Sequence, residues 1–268
     1  MTTVRQVASR HNDLFKDLRR LLADPAAYRR QGQVWLEGDH LCRALLARGG
    51  QPRRAVVTES GWAAPALNDL ARAAPEVVCI PDALMRELSG LESPAPIGFL
   101  IAAPEGHALE RGRRTVVLDR LQDAGNVGSI LRTASAMGFG QVLALKGTVA
   151  LWSPKVLRAA MGAHFGLALA EGGTPADLTA LGVPVVGTQL RDARWLHETA
   201  LPDPLAWVFG HEGQGMAEDV AAACTLRVRI AQPGGEESLN VGAAAAVCLY
   251  ESARQKGAPP NAGPFPKA

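Results

Sequence analysis

Three short segments of this 268-residue chain concentrate residue types that bind anions and handle protons: GNVGSILRTA with Asn126 and Arg132, GHEGQG with His211 and Glu212, and IAQPGGEESLNVG with Ser238 and Asn240. Arg132 is either a cation free to hold an anion or a plain solvated charge, and a guanidinium, protonated at any ordinary pH, is a poor base. Asn126 falls where a loop becomes a helix, and the free N–H groups there favour an anion. A plain N-cap is the simpler role for it, as it is for Ser238 and Asn240, which also precede a helix. The glycines Gly210, Gly213 and Gly215 let backbone approach a ligand or adopt positive φ, although a tight turn asks for the same residues. His211 is either a proton acceptor or a loop-packing residue.

Several chemistries are excluded by spacing. The order GxxGxG is not the dinucleotide pattern GxGxxG, and GxxxxGK[ST] is absent. The residue four after His211 is Gly215, so no zinc-protease pair forms. Cys42, Cys79, Cys224 and Cys248 are scattered without CxxC spacing, which predicts reduced structural thiols and no metal site.

The elements that must position these residues alternate as in an α/β protein. A helix around residues 12–22 is followed by strand 34–37, helix 39–48, strand 55–58, helix 65–73 and strand 77–80. The proline-bounded apolar run SPAPIGFLIAAP then closes a first unit. From residue 115 the predicted strands are 115–119, 141–145, 167–170, 183–188, 205–209 and 226–230, with helices between them. In the helix after the first of these, Ile130, Leu131, Ala134 and Met137 share one face, so Arg132 points away from the core.

With 47% hydrophobic and 20% charged residues the chain has a core. Its longest apolar run, residues 241–250, is too short to span a membrane, and a soluble cytoplasmic protein is expected. The formal charge of +2 is unevenly divided. Residues 1–54 hold eleven Lys/Arg against five Asp/Glu, whereas the remainder holds seventeen against twenty-one. Such asymmetry suits a polyanionic partner at the N-terminal end.

In order and spacing the three segments resemble motifs 1, 2 and 3 of the SpoU (TrmH-like) family of RNA ribose 2′-O-methyltransferases, in the SPOUT class, over residues 115–254. Upstream, SRHNDLFKDLRRLL and RRQGQVWLEGDHLCRALL resemble the N-terminal segment and L30e-like substrate-binding domain of ribosomal RNA members. The resemblance implies an α/β fold whose C-terminal parallel-sheet domain carries a deep trefoil knot, beside a smaller L30e-like domain. It divides the chain into a basic helical segment (1–30), the L30e-like domain (31–106), a linker (107–114), the methyltransferase domain (115–256) and a disordered tail (257–268).

It further implies S-adenosylmethionine as cofactor, with Thr188, Gly210, Ile230 and Leu239 as contacts. Arg132 becomes the catalytic arginine, and Asn126, Glu212, Ser238 and Asn240 its polar companions near the target ribose. The partners implied are ribosomal RNA and a second copy of the chain. A transfer RNA substrate, or a non-catalytic RNA-binding protein, are the alternatives. Ile230-Ala231 stands where many relatives have Ile-Pro, and His211 where many have Asn.

Overall fold

The computed structural model describes residues 2–89, 91–106, 108–234 and 238–257. The expectations for residue 107 of the linker, for residues 235–237 of the third motif and for the tail beyond 257 therefore lie outside the described residues.

The first half of the chain runs β1 (Thr3–Gln6), α1 (Asp13–Ala23), α2 (Ala27–Gln31), β2 (Gln33–Glu37), α3 (Asp39–Ala47), β3 (Arg54–Thr58), α4 (Glu59–Ala63), α5 (Pro65–Ala71), β4 (Glu76–Ile80), α6 (Asp82–Leu88) and β5 (Ile97–Ala102). Its strands form a mixed sheet in the order β1-β4-β3-β5-β2, with β5 antiparallel to both neighbours. The α1 helix starts at Asn12, whose side chain accepts the Leu14 N–H, and buries Leu14, Phe15, Leu18 and Leu21 along one stripe. Of the eleven Lys/Arg in residues 1–54, eight sit in ion pairs, among them Arg5 and Arg54 on Glu76 and Arg29 on Glu171.

The second half runs β6 (Thr115–Leu118), α7 (Ala124–Ala136), β7 (Gln141–Leu145), α8 (Pro154–Ala160), β8 (Ala168–Gly173), α9 (Pro175–Ala180), β9 (Val185–Thr188), β10 (Arg194–Trp195), β11 (Ala206–Phe209), α10 (Glu218–Ala223), β12 (Leu226–Arg229) and α11 (Val241–Gln255). These strands build a parallel sheet in the order β10-β12-β9-β11-β6-β7-β8. Every residue of β6, β7 and β11 is buried, as the continuous apolar runs of a sheet covered on both faces require. The six strands predicted here are all present, five of them within two residues of their expected ends, while β8 runs three residues past its expected end at 170. Strands β1 and β10 have no counterpart in the sequence reading.

Two contacts fix the helices that carry the motifs. A Cβ on Gly128 would stand 2.3 Å from Ala159 Cβ and 2.8 Å from Ala160 N, so glycine is what lets α7 cross α8 this closely. The Trp207 indole N–H on β11 donates to Ser252 Oγ at 2.8 Å, tying α11 down over the sheet. The halves meet at Glu171, which accepts the Tyr28 hydroxyl, the Arg29 guanidinium at 2.8 Å and the Leu151 N–H at 2.8 Å.

Candidate active site

Strands β12, β9 and β11 are consecutive in the sheet and parallel, so their carboxyl ends lie side by side. Ligands in open parallel sheets sit at such ends. Here the ends open onto a cavity of about 680 Å³ lined by Thr188 after β9, Gly210 after β11, Ile230 after β12, and Leu239 just before α11. Glu212 and Ser238 line it too. The volume falls within the roughly 300–1,000 Å³ typical of small-molecule sites.

The loop after β11 folds back on itself, with the Gly215 N–H donating to the His211 carbonyl at 2.8 Å. A Cβ on Gly210 would meet the Gly215 and Met216 backbone at 2.4 Å, so no other residue fits there without moving the loop. His211 Nδ1 accepts the N–H groups of Gly213 and Gln214 at 3.1 and 3.2 Å. Nδ1 is thus engaged within the loop, while the residue also lines the cavity.

Two further residues clamp this loop from β6, and the sequence reading did not single them out. Asp119 is buried and accepts the Ala217 N–H at 2.7 Å. Arg120, at φ 58°, pairs with Asp119 at 2.9 Å and donates to Gln214 Oε1 and the Gly215 carbonyl at 3.0 and 3.1 Å.

The polar motif residues meet beside the cavity. Asp123, rather than Asn126, caps α7 by accepting the Asn126 N–H at 2.7 Å. The Asn126 side chain, freed from capping, donates to Glu212 Oε1 at 3.3 Å and accepts from Asn240 Nδ2 at 2.9 Å. Asn240 is a cap as well, because its Oδ1 takes the Gly242 and Ala243 N–H groups at 2.9 and 3.2 Å. Glu212 also receives the Asp123 and Gln122 N–H groups at 3.2 and 3.4 Å. Partial burial opposes its ionisation, but the hydrogen bonds from its own backbone, Asn126, Asp123 and Gln122 outweigh that and hold its carboxyl below the usual range.

Arg132 stands apart. It is exposed on the outer face of α7, does not line the cavity, and has no hydrogen-bond or ion-pair partner among the described residues.

The SpoU rRNA Methylase family profile matches residues 113–250. The chain belongs to this family. A Synechocystis protein described as an uncharacterized tRNA/rRNA methyltransferase is 32% identical over 273 residues, covering 97% of each chain. The 23S rRNA (guanosine(2553)-2′-O)-methyltransferase RlmP of Bacillus subtilis is 28% identical to this SpoU chain over 250 residues, covering 92% of it and 98% of that protein. Among solved structures, an AdoMet-bound rRNA methyltransferase from Sinorhizobium meliloti superposes with a TM-score of 0.81 at 25% identity, covering 94% of this chain and 98% of that one.

The SpoU cavity has the chemistry that S-adenosylmethionine needs. Its walls combine apolar side chains such as Met216, Val228, Ile230 and Leu239, suited to an adenine ring, with polar ones such as Thr188, Gln189, Glu212 and Glu218 that can take ribose hydroxyls and an ammonium group. Gln232, on the same wall, has a buried Oε1 with no partner among the described residues, an acceptor left for a polar ligand.

Proposed function

We propose that this protein methylates the 2′-oxygen of a ribose in ribosomal RNA, with S-adenosylmethionine as donor. The observation that carries the reading is the convergence of three strand ends with Ser238 and Leu239 on one cavity, in a SpoU chain whose Asn126–Glu212–Asn240 network reaches it through Glu212. The rRNA methyltransferases to which the chain is similar along nearly its whole length supply the substrate class.

Bound S-adenosylmethionine supplies an electrophilic methyl group on a sulfonium. The chain must align an oxygen nucleophile with it and stabilise that oxygen as its proton leaves. Backbone at Thr188, Gly210, Ile230 and Leu239 holds the donor. Glu212, fixed by four N–H donors and anionic at neutral pH, anchors the motif 2 loop against α7, and Asn126 and Asn240 lock α7 to α11. Ser238 offers a hydroxyl at the cavity edge to the ribose. Arg132, unpaired and outward-facing, binds the target phosphate and faces the 2′-oxygen as negative charge develops.

Because Arg132 lies off the cavity of its own chain, a homodimer in which it reaches the partner's cavity belongs to the same proposal. The outward stripe of α11, with Val247 41% and Tyr250 57% exposed, supplies an apolar face for it. The trefoil knot is supported by β12, which lies between β9 and β10 although only residues 189–193 join those two strands. Such threading is nearly absent from other folds. The first sheet is read as the L30e-like RNA-binding unit. The domain boundaries 1–30, 31–106, 107–114 and 115–256 and a cytoplasmic location go with this reading. Mapping ribose methylation across 23S and transfer RNA, with and without the gene, tests it: a single lost 2′-O-methyl in 23S RNA is expected, and no change in ribosomal RNA contradicts it.

A further inference from the structure

Two cavities share the β10–β12 edge of the parallel sheet. Besides the donor cavity, a second of about 470 Å³ is lined by Asp192, Arg194, Cys224, Thr225, Leu226 and Arg227, together with Ala193. The two are contiguous along the chain. Arg191 and Arg229 border the first, whereas Arg194 and Arg227 border the second. Arg227 and Arg229 are two apart on β12, hence on one face and roughly 7 Å from each other. That is the spacing of successive phosphates on an extended strand.

None of these four arginines has an ion-pair partner among the described residues, in contrast to the eight paired cations at the N-terminal end. Beside them stands Trp195, 36% exposed, in register with Arg229, whose guanidinium lies 3.7 Å from the ring centroid. Leu190 is 56% exposed at the same edge. Asp192 is the carboxylate lining the second cavity, against two arginines there.

We propose that this edge is a binding track for single-stranded RNA, along which the nucleotides next to the methylated ribose leave the donor cavity. The inference rests on the RNA-methyltransferase reading and extends it. Phosphates pair with Arg191, Arg229, Arg227 and Arg194 in turn, and Trp195 offers an aromatic surface for a splayed base. A second copy of the chain is a poorer occupant, because a twofold contact here would set four unpaired arginines against four more. Stacking within a duplex would also cover the base faces that Trp195 could stack on, so duplex RNA fits less well.

The test compares full-length wild type with Arg194→Glu/Arg227→Glu and with Trp195→Ala, titrating each with a fluorescein-labelled single-stranded RNA oligonucleotide and with unmodified 23S ribosomal RNA over a salt series. Binding of S-adenosylmethionine, followed by calorimetry, reports on folding and on the donor cavity. The track requires that the double variant keep wild-type affinity for S-adenosylmethionine, lose more than about tenfold in RNA affinity, and flatten the slope of log K against log salt by about 1.4, from about 0.7 per phosphate contact on a single strand. Trp195→Ala should lose on the order of tenfold with the slope unchanged. Wild-type RNA affinity and slope in variants that still bind S-adenosylmethionine overturn the track, and so does sedimentation showing that the double variant has become monomeric with its RNA affinity intact. Should the double variant misfold, Arg194→Gln/Arg227→Gln is read by the same criteria. Failure of wild type to methylate ribosomal RNA while still binding the oligonucleotide through these residues counts against the enzymatic reading alone.

Discussion

Arg132 and Glu212 make opposite demands on their surroundings. In its proposed role Arg132 must stay unpaired, and α7 leaves it exposed by burying Ile130, Leu131 and Ala134 on the opposite face. Arg132→Ala is expected to lower kcat at least about 10²-fold, as loss of an oxyanion-stabilising donor does, with calorimetric affinity for S-adenosylmethionine unchanged. Glu212 works through the N–H groups it gathers. Glu212→Gln should weaken S-adenosylmethionine binding roughly tenfold, because charged hydrogen bonds contribute about 1.5–3 kcal/mol and the side chain is largely exposed. Its carboxyl is held below the ordinary value of 4.5, so its contribution is complete above that pH and disappears only as pH falls through the depressed value. Affinity measured from pH 7 downward should therefore hold until the pH is below 4.5, and the Gln variant should lack the drop that follows. The motif residues were legible because their types are restricted by chemistry. The clamp by Asp119 and Arg120 was not, since an acid at the end of an apolar strand acquires its role only from Ala217, 98 residues further on. Asn126 was readable as a helix-start residue, but Asp123 takes the cap.

Long, buried elements were readable and short or exposed ones were not. Strands β6, β7 and β11 are apolar runs, whereas β1 is exposed at all four residues and β10 has two, so neither leaves a pattern. The seam between the two sheets is likewise invisible in sequence, because Tyr28 and Glu171 are 143 residues apart. Glu171→Ala should cost about 1–3 kcal/mol in denaturant unfolding, more than Tyr28→Phe, since Glu171 serves Tyr28, Arg29 and the Leu151 N–H together. Nearby, burial pushes the His164 ring down to about 4, with Nε2 on the Leu151 carbonyl at 2.8 Å. The unfolded chain takes up that proton near 6.5, so stability present above pH 6.5 is lost progressively as pH falls toward 4. The loss amounts to on the order of 3 kcal/mol. Guanidinium titrations at stepped pH should show this slope, and His164→Gln should remove most of it.

For the molecule as a unit, the proposed chemistry and the proposed dimer are tested together, because Arg132 does not line the donor cavity of its own chain. Val247→Asp on α11 should yield a monomer in sedimentation that binds S-adenosylmethionine and does not methylate. An active wild-type monomer would remove the dimer. The most direct measurement uses S-adenosylmethionine labelled in its methyl group, unmodified 23S ribosomal RNA and the full-length protein, followed by nucleoside digestion. Label in one 2′-O-methylnucleoside, absent with Arg132→Ala although that variant still binds the donor, is the expected result. Label on a base, or full transfer by Arg132→Ala, would contradict the account.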